Sequence, residues 1–464
     1  MTADIIQISR NANRFISVSV LLYGVFILIK VQLWIFISFT KPSWLWLMCT
    51  ICCESTAWVV WLLKQHGIRM GTVLLILPLV STLYTIVPIC LQLADIDVFP
   101  YSVTVVWRGM LMESLMITHL WLAIALFYSR ANSALYADKL EAWLDEYDIT
   151  KTGMWLFICV GFAIAVVYIT NFYISGTSAI AGTRDRGEIY TTLETGKTWL
   201  MQYSFMCWLM CCVILWFTRR ARSLITPLHI ILAVLAFLLF MFAFIQTGNR
   251  RELVIFLVFT CLILVLKRKT KIIALICLVT IPALLYIGMS RTIDPEQMAI
   301  VDQITYYRVL AGEFIGPHFA LLEHLSSPQK LWLGWSYIRA FGLQIPTFGL
   351  WTKPLSLTLM FARQYGSVGN ESWAYSPLAE CYANFGTVSV IVLPIILVAS
   401  SKWLATLRYG GPIPFLVFIC MSFDINRGEF ATLIAQISLF VIITVVFLYV
   451  ARISFPAWST IANN

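Results

Sequence analysis

Charge is what this sequence has least of. Asp, Glu, Lys and Arg make up 12% of its 464 residues, against about 25% in an average soluble domain. Hydrophobic residues make up 60%. The 32 basic and 23 acidic residues are too few to cover a water-soluble chain this long, and so large an apolar excess does not fit inside one soluble core. The bilayer is the solvent that suits this composition. An extended basic face is lacking as well. The formal charge of +9 sits in small clusters between apolar runs, which excludes a nucleic-acid partner and suits loops on the inner side of a membrane. No disulfide framework is legible despite 12 cysteines. Cys49, Cys52, Cys53, Cys90, Cys159, Cys207, Cys211, Cys212, Cys261, Cys277 and Cys420 lie in apolar segments, where a thiol packs as a small apolar group. Cys49-x-x-Cys52 has redox or zinc spacing but neither polar surroundings nor a second pair. A cleavable leader is also missing, because the first apolar run is too long and lacks a small-residue cleavage site.

What is present is a series of apolar runs near the length of about 17–25 residues that spans a bilayer. They fall at 14–39, 43–63, 72–93, 102–128, 153–174, 199–217, 224–247, 272–289, 384–404 and 431–450. Two shorter ones, 253–266 and 412–423, are needed for the loop charges to alternate. The expectation is an all-α polytopic membrane protein over 1–464 with about twelve transmembrane helices. Clusters such as Arg219-Arg-Ala-Arg222 and Lys267-Arg-Lys269 put both termini on the cytoplasmic side. In the inner segment 133–148, Leu135, Leu140, Trp143, Leu144 and Tyr147 share a face, which predicts a helix on the membrane surface.

Two outer segments exceed what a turn needs: 175–198 and the much longer 290–383. Loops of that length are functional or disordered. The second is rich in Trp, Tyr, Phe and Leu and predicts helices around 297–325 and 355–365, folded over the bundle as a lid. The outer side also holds cations that run against the positive-inside trend. Arg250 and Arg251 sit in the hinge Thr247-Gly-Asn-Arg-Arg-Glu252, Arg427 in Asn426-Arg-Gly-Glu429, and Arg291, Arg308, Arg339, Lys353 and Arg363 in or beside the long loop. A charge at the centre of the hydrocarbon costs about 2.5–3.5 kcal/mol on the insertion scale, so arginines close to it call for an anion. The planar guanidinium fork suits phosphate oxygens. Local pairing of Arg251 with Glu252 and Arg427 with Glu429, or snorkelling to the headgroups, is the structural alternative.

Charges within the spans point to a different role. Lys30 and Glu54 lie at depths that agree within roughly 3 Å at the rise of a helix, which predicts a structural ion pair. A proton or ion pathway through them and through Arg108, Glu113 and His119 is the other reading. Asp95-Ile-Asp97 is expected to be solvated, with no obligatory metal and no cofactor.

Four segments then carry a resemblance. They are Leu333-Gly-Trp-Ser-Tyr337 with Gln344-Ile-Pro346 and Trp351-Thr-Lys-Pro354; Ser376-Pro-Leu-Ala-Glu380-x-Tyr382-x-Asn384-Phe-Gly386; Thr247-Gly-Asn-Arg-Arg-Glu-Leu253; and Asn426-Arg-Gly-Glu-Phe430. In their chain order, with Thr247–Leu253 first and Asn426–Phe430 last, these segments make the chain resemble bacterial O-antigen polymerases, the Wzy-type oligosaccharide repeat unit polymerases, over about 230–450. A clean Arg-x10-Gly pair, described for some members, is absent.

The resemblance implies a glycosyltransferase of the inner membrane with a large periplasmic loop. Such an enzyme transfers a growing glycan from undecaprenyl diphosphate onto another undecaprenyl-diphosphate-linked oligosaccharide, in lipopolysaccharide or other surface polysaccharide biosynthesis. A chain-length regulator protein is an expected partner beside the lipid bilayer. Diphosphate-binding candidates are Arg250, Arg251, Arg291, Arg339 and Arg427. An acceptor hydroxyl has to lose its proton, for which Glu313, Glu380 and His318 are the catalytic candidates, with His324 and Glu371 behind them. Tyr337, Lys353, Arg363, Tyr382 and Asn384 are expected to bind substrate. Glu380 has a structural reading too, as an acid in the first turn of a helix starting at Ser376-Pro377. Trp332, Trp335, Tyr337, Trp351, Trp373 and Tyr375 offer flat faces to sugars or form a membrane-interface belt. An O-antigen ligase-type transferase and, from another class, a transporter or flippase of lipid-linked oligosaccharide are the competing functions.

Overall fold

The structure, a computed structural model, describes residues 18–33, 35, 43–128, 136, 138–139, 141–143, 147–174, 196–246, 251–269, 271–273, 276, 278, 311–312, 314–327, 330–344, 356–358, 360–361, 375–407 and 412–453. Among them there are helices and no strand. Long apolar runs take this form in lipid because a helix satisfies its own backbone N–H and C=O groups. Among the described residues seven helices are long and apolar enough to cross a membrane, and the chain is an all-α membrane protein.

In chain order the elements are α1 (Val18–Leu33), α2 (Trp44–Leu93), α3 (Val103–Phe127), α4 (Lys151–Ile174), α5 (Gly196–Phe217), α6 (Arg219–Leu224), α7 (Pro227–Gln246), α8 (Arg251–Leu266), α9 (His318–Ser326), α10 (Trp335–Gln344), α11 (Pro377–Phe385), α12 (Ser389–Thr406), α13 (Ile413–Cys420), α14 (Ser422–Ile425) and α15 (Phe430–Val450). Most follow the expected spans. Of the run 272–289 only 272–273, 276 and 278 are described, all helical, and the ends of 14–39 lie outside the described residues. The segment 412–423 differs: α13 has 8 residues, about 12 Å of helix, and each of them is buried. That is less than half the thickness of a bilayer.

The 50 residues of α2 form a hairpin and not one rod. Gly67 has φ 71° and ψ 168°, a region open to glycine alone. A Cβ added at Gly71 would meet the Leu63 Cα at 3.2 Å, although residues eight apart in a straight helix are about 12 Å apart. Farther from the turn, Ser55 Oγ lies 3.4 Å from Thr82 Oγ1 and the Cys90 thiol 3.9 Å from Met48 Sδ. The two arms are therefore antiparallel, and they coincide with the separate expected spans 43–63 and 72–93.

Two compact units form within the chain. The first comprises Met1–Tyr136, Asp302–Thr406 and Met421–Gln436, and the second Ala137–Val301, Leu407–Cys420 and Ile437–Asn464. In the first, α3 packs on α2, α9 and α12, and α11 packs on α9, α10 and α12. Gly109 allows α3 to approach α9, since a Cβ there would come within 2.6 Å of Leu322. In the second unit, α4 packs on α5 and α7, and α8 on α5 and α13. The Trp208 indole lies against Gly161 and donates to Phe157 O at 3.0 Å, and Phe205 stacks on Phe240 at 4.1 Å. α7 starts with a reciprocal cap: the Thr226 N–H donates to His229 Nδ1 at 3.0 Å, with Pro227 as first helical residue. Of the expected surface helix 133–148, residues 138–139 and 141–143 are helical, and Tyr147 donates its hydroxyl to Leu448 O at 2.6 Å.

Candidate active site

The site is built in the first unit around α11. Ser376 caps this helix by accepting from Ala379 N–H at 3.2 Å, and Pro377 fills the first turn, as the Ser-Pro start predicts. At its other end the chain 332–334 crosses the last turn. Trp332 N–H donates to Ala383 O at 2.9 Å and Leu333 N–H to Asn384 O at 3.3 Å, which satisfies carbonyls a helix end leaves open. This crossing needs positive φ at Leu333 (49°), Gly334 (88°) and Gly386 (62°).

Three of the four motif segments meet here. Asn384 accepts the Gly334 N–H on Oδ1 at 2.9 Å and donates through Nδ2 to Ser336 Oγ at 2.6 Å and Glu380 O at 2.7 Å. Ser336 donates its hydroxyl to Glu380 Oε1 at 2.7 Å. The other carboxylate oxygen accepts the N–H of Phe430, the first residue of α15, at 2.7 Å. The result is a directed chain from amide to hydroxyl to carboxylate, with Glu380 1% exposed. Glu429, also 1% exposed, accepts from Leu357 N–H at 2.5 Å, Thr358 N–H at 3.1 Å and the Thr432 hydroxyl at 3.1 Å. Burial pushes the Glu429 carboxyl above its usual range, against the pull of these donors and of Arg339. Both carboxylates hold backbone N–H groups at the start of helical turns, where negative charge is favoured. Gln344 ties α10 to the same place by donating to Ala431 O at 2.8 Å.

A second polar cluster lies between α2, α3 and α9. The Nδ1 of His318 pairs with Glu113 Oε1, and Nε2 faces Tyr84 O at 2.9 Å. Thr85 donates to Glu113 Oε2 at 3.2 Å. Tyr84 O only accepts, so Nε2 carries a proton, and one further proton is shared between Nδ1 and Glu113. Burial lowers the basicity of His318, but Glu113 together with the Tyr84 and Phe314 carbonyls outweighs it, and the net shift is upward. As a base, His318 has to break one of these contacts first. Beside the pair is a cavity of about 20 Å³ lined by Ser81, Thr85, Glu113, His318, Ser376 and Asn426 among others, enough for about one water.

No family model, curated protein or solved structure matches this chain. The assignment of residues therefore rests on their chemistry. Glu380, His318, Tyr337, Tyr382, Asn384, Arg339 and Arg427 all lie in the first unit. Arg339 is half-buried, within electrostatic reach of Glu429. Arg427 is half-buried in the turn before Glu429, its N–H on Asp424 O at 3.1 Å. Tyr382 is half-buried within reach of the Arg108 charge. Glu313, Glu371, Arg250, Arg291, Arg308, Lys353 and Arg363 lie outside the described residues, as does the side chain of Arg251 at the start of α8.

The aromatic candidates divide. Trp332 and Tyr375 stack at 6.5 Å, His324 is hydrogen-bonded to Tyr375 at 2.5 Å, and Tyr337 lies against Phe430 at 4.9 Å. Their faces are taken by neighbours, whereas Trp335 is 61% exposed. Trp351 and Trp373 lie outside the described residues. The part of Ser336 was missed in the sequence. A serine in Gly-Trp-Ser-Tyr carries no local sign of a buried carboxylate 44 residues away.

Proposed function

We propose that this protein is a glycan polymerase. It transfers a growing glycan from undecaprenyl diphosphate onto another undecaprenyl-diphosphate-linked repeat unit at the periplasmic face of a bacterial inner membrane. In this reading the chain crosses the membrane about twelve times, its termini are cytoplasmic, and residues 290–383 form the periplasmic layer. The observation that carries the reading is the convergence of Gly334 and Ser336, Glu380 and Asn384, and Phe430 in one hydrogen-bonded network around the buried Glu380. Segments that resemble one family in order then also form one place in space.

As the glycosidic bond breaks, charge grows on the departing diphosphate, and arginines aimed at it stabilise the transition state more than the ground state. Arg427 and Arg339 are the described residues assigned this role, and Arg250, Arg251 and Arg291 are assigned it from the sequence. Lys353, Arg363, Tyr337, Tyr382 and Asn384 are assigned to the glycan, and Glu313, Glu380 or His318 to the acceptor proton.

The test supplies the purified protein in liposomes with one lipid-linked repeat unit and no other enzyme. A ladder of longer glycans is expected, and Arg427→Ala is expected to abolish it while the protein stays folded. A second reading, a transporter of the same lipid-linked glycan, is favoured by the buried half-length helix α13, since transporters build sites from broken helices. Transfer of the unit between leaflets without elongation decides for that reading.

A further inference from the structure

The helix α10 is inside out for a segment in water. Its large apolar residues face outward: Trp335 is 61% exposed, Ile338 65% and Phe341 60%. They recur at every third position and so share one side of the helix. The opposite side carries the small residues Ser336 and Ala340, each 2% exposed, with Ser336 engaged by Glu380 and Asn384. Leu331 at 49% and Leu333 at 79% continue the apolar side before the helix. A lid that closed over its own core in water would turn Trp, Ile and Phe inward. Contiguous exposed apolar surface of this kind marks a docking face.

The position of α10 names what docks there. Phe341 contacts Phe430 at 6.4 Å and Gln344 bonds to Ala431 O, so α10 lies at the end of α15, one of the apolar membrane-length helices. Leu331 packs 3.7 Å from the site of a Cβ on Gly386, just before α12, where Val388, Ile391 and Ile395 are 54%, 43% and 45% exposed. The apolar side of α10 thus continues the outward surfaces of spans at their ends, and Lys330 is exposed at its edge. We infer that α10 is an in-plane interfacial helix: Leu331, Leu333, Trp335, Ile338 and Phe341 sink among the acyl chains of one leaflet, and Lys330 lies at the phosphates. A helix of this pattern rests with its apolar face just below the headgroups. The Ser336–Glu380–Asn384 network then sits directly above lipid. This inference does not depend on the polymerase reading.

The experiment places p-benzoylphenylalanine at 338, at 341 and, as a control, at the exposed Ser327, in the full chain in phospholipid nanodiscs. After irradiation, intact mass and peptide mapping identify the adducts. Phospholipid adducts at 338 and 341, at least fivefold above those at 327, are expected. Cross-links to residues 345–374 of the chain itself, equal lipid adducts at 327, or no adduct at 338 and 341 would overturn it. If the bulky residue prevents folding, a nitroxide on Ile338→Cys gives the same decision: accessibility to oxygen above that to a water-soluble nickel chelate supports the inference, and the reverse ends it.

Discussion

Lys30 and Glu54, deep in the first unit, and Glu380 and Glu429, at its motif segments, are all 1% exposed or less, yet they carry charge in opposite ways. Lys30 pairs with Glu54 and also donates to Ser114 O at 2.8 Å and Thr118 Oγ1 at 2.6 Å. There the charges cancel, as the matched depths predicted. At the motif segments the described partners of Glu380 are a hydroxyl and a backbone N–H, while Glu429 takes backbone N–H groups and a hydroxyl with Arg339 at longer range. The first cluster is expected to tolerate removal only as a pair. The second fastens three segments distant in sequence, so its carboxylates are structural ties as well as chemical candidates.

The sharpest way to break this contrast is Lys30→Met. It leaves Glu54 buried without its cation and is expected to cost about 3–5 kcal/mol, read as a large fall in the unfolding temperature in detergent. The double variant Lys30→Met with Glu54→Leu is expected to recover most of that. Equal melting of single and double variants would show that the pair is not what holds the charge. Next in size is Glu380→Ala, which strands Ser336 and the Phe430 N–H at about 1–3 kcal/mol. Glu380→Gln is expected to lose less, because its amide oxygen still serves Phe430 and its NH₂ donates to Ser336. If Gln and Ala melt alike, negative charge and not hydrogen bonding is the essential feature.

The smallest effect is a pH slope at His318. Its folded value is raised above the ordinary value of about 6.5. The folded state therefore holds the proton more tightly, and the stabilisation is fully present below about pH 6.5. It is lost as pH rises through the folded value. Wild-type unfolding temperature is expected to decline over that window, and His318→Gln to flatten the decline. An unchanged slope in His318→Gln would remove the protonated pair with Glu113.

Much of the architecture was legible in the residues. Most of the apolar runs are helices where the residues are described, the Ser376-Pro377 start became the cap of α11, and Lys30 met Glu54. Two features were not. The 412–423 run was already short for a span, and α13 takes up 8 of its residues, because hydropathy does not register where a helix ends. The partner of His318 was also hidden: Glu113 was visible as a charge in a span, but 205 residues separate the two.

Composition and periodicity by themselves determined the solvent and the secondary structure, because both follow from local backbone satisfaction and from the sum of apolar area. Tertiary structure alone decided which polar groups meet. Ser336, Asn384, Glu380 and Phe430 lie up to 94 residues apart in the numbering, and pairing across such distances depends on how helices pack, which no local pattern encodes. The outward face of α10 belongs to the same category. Its apolar triplet Trp335, Ile338 and Phe341 faces outward because Ser336, on the other side of the helix, is drawn inward by Glu380 and Asn384.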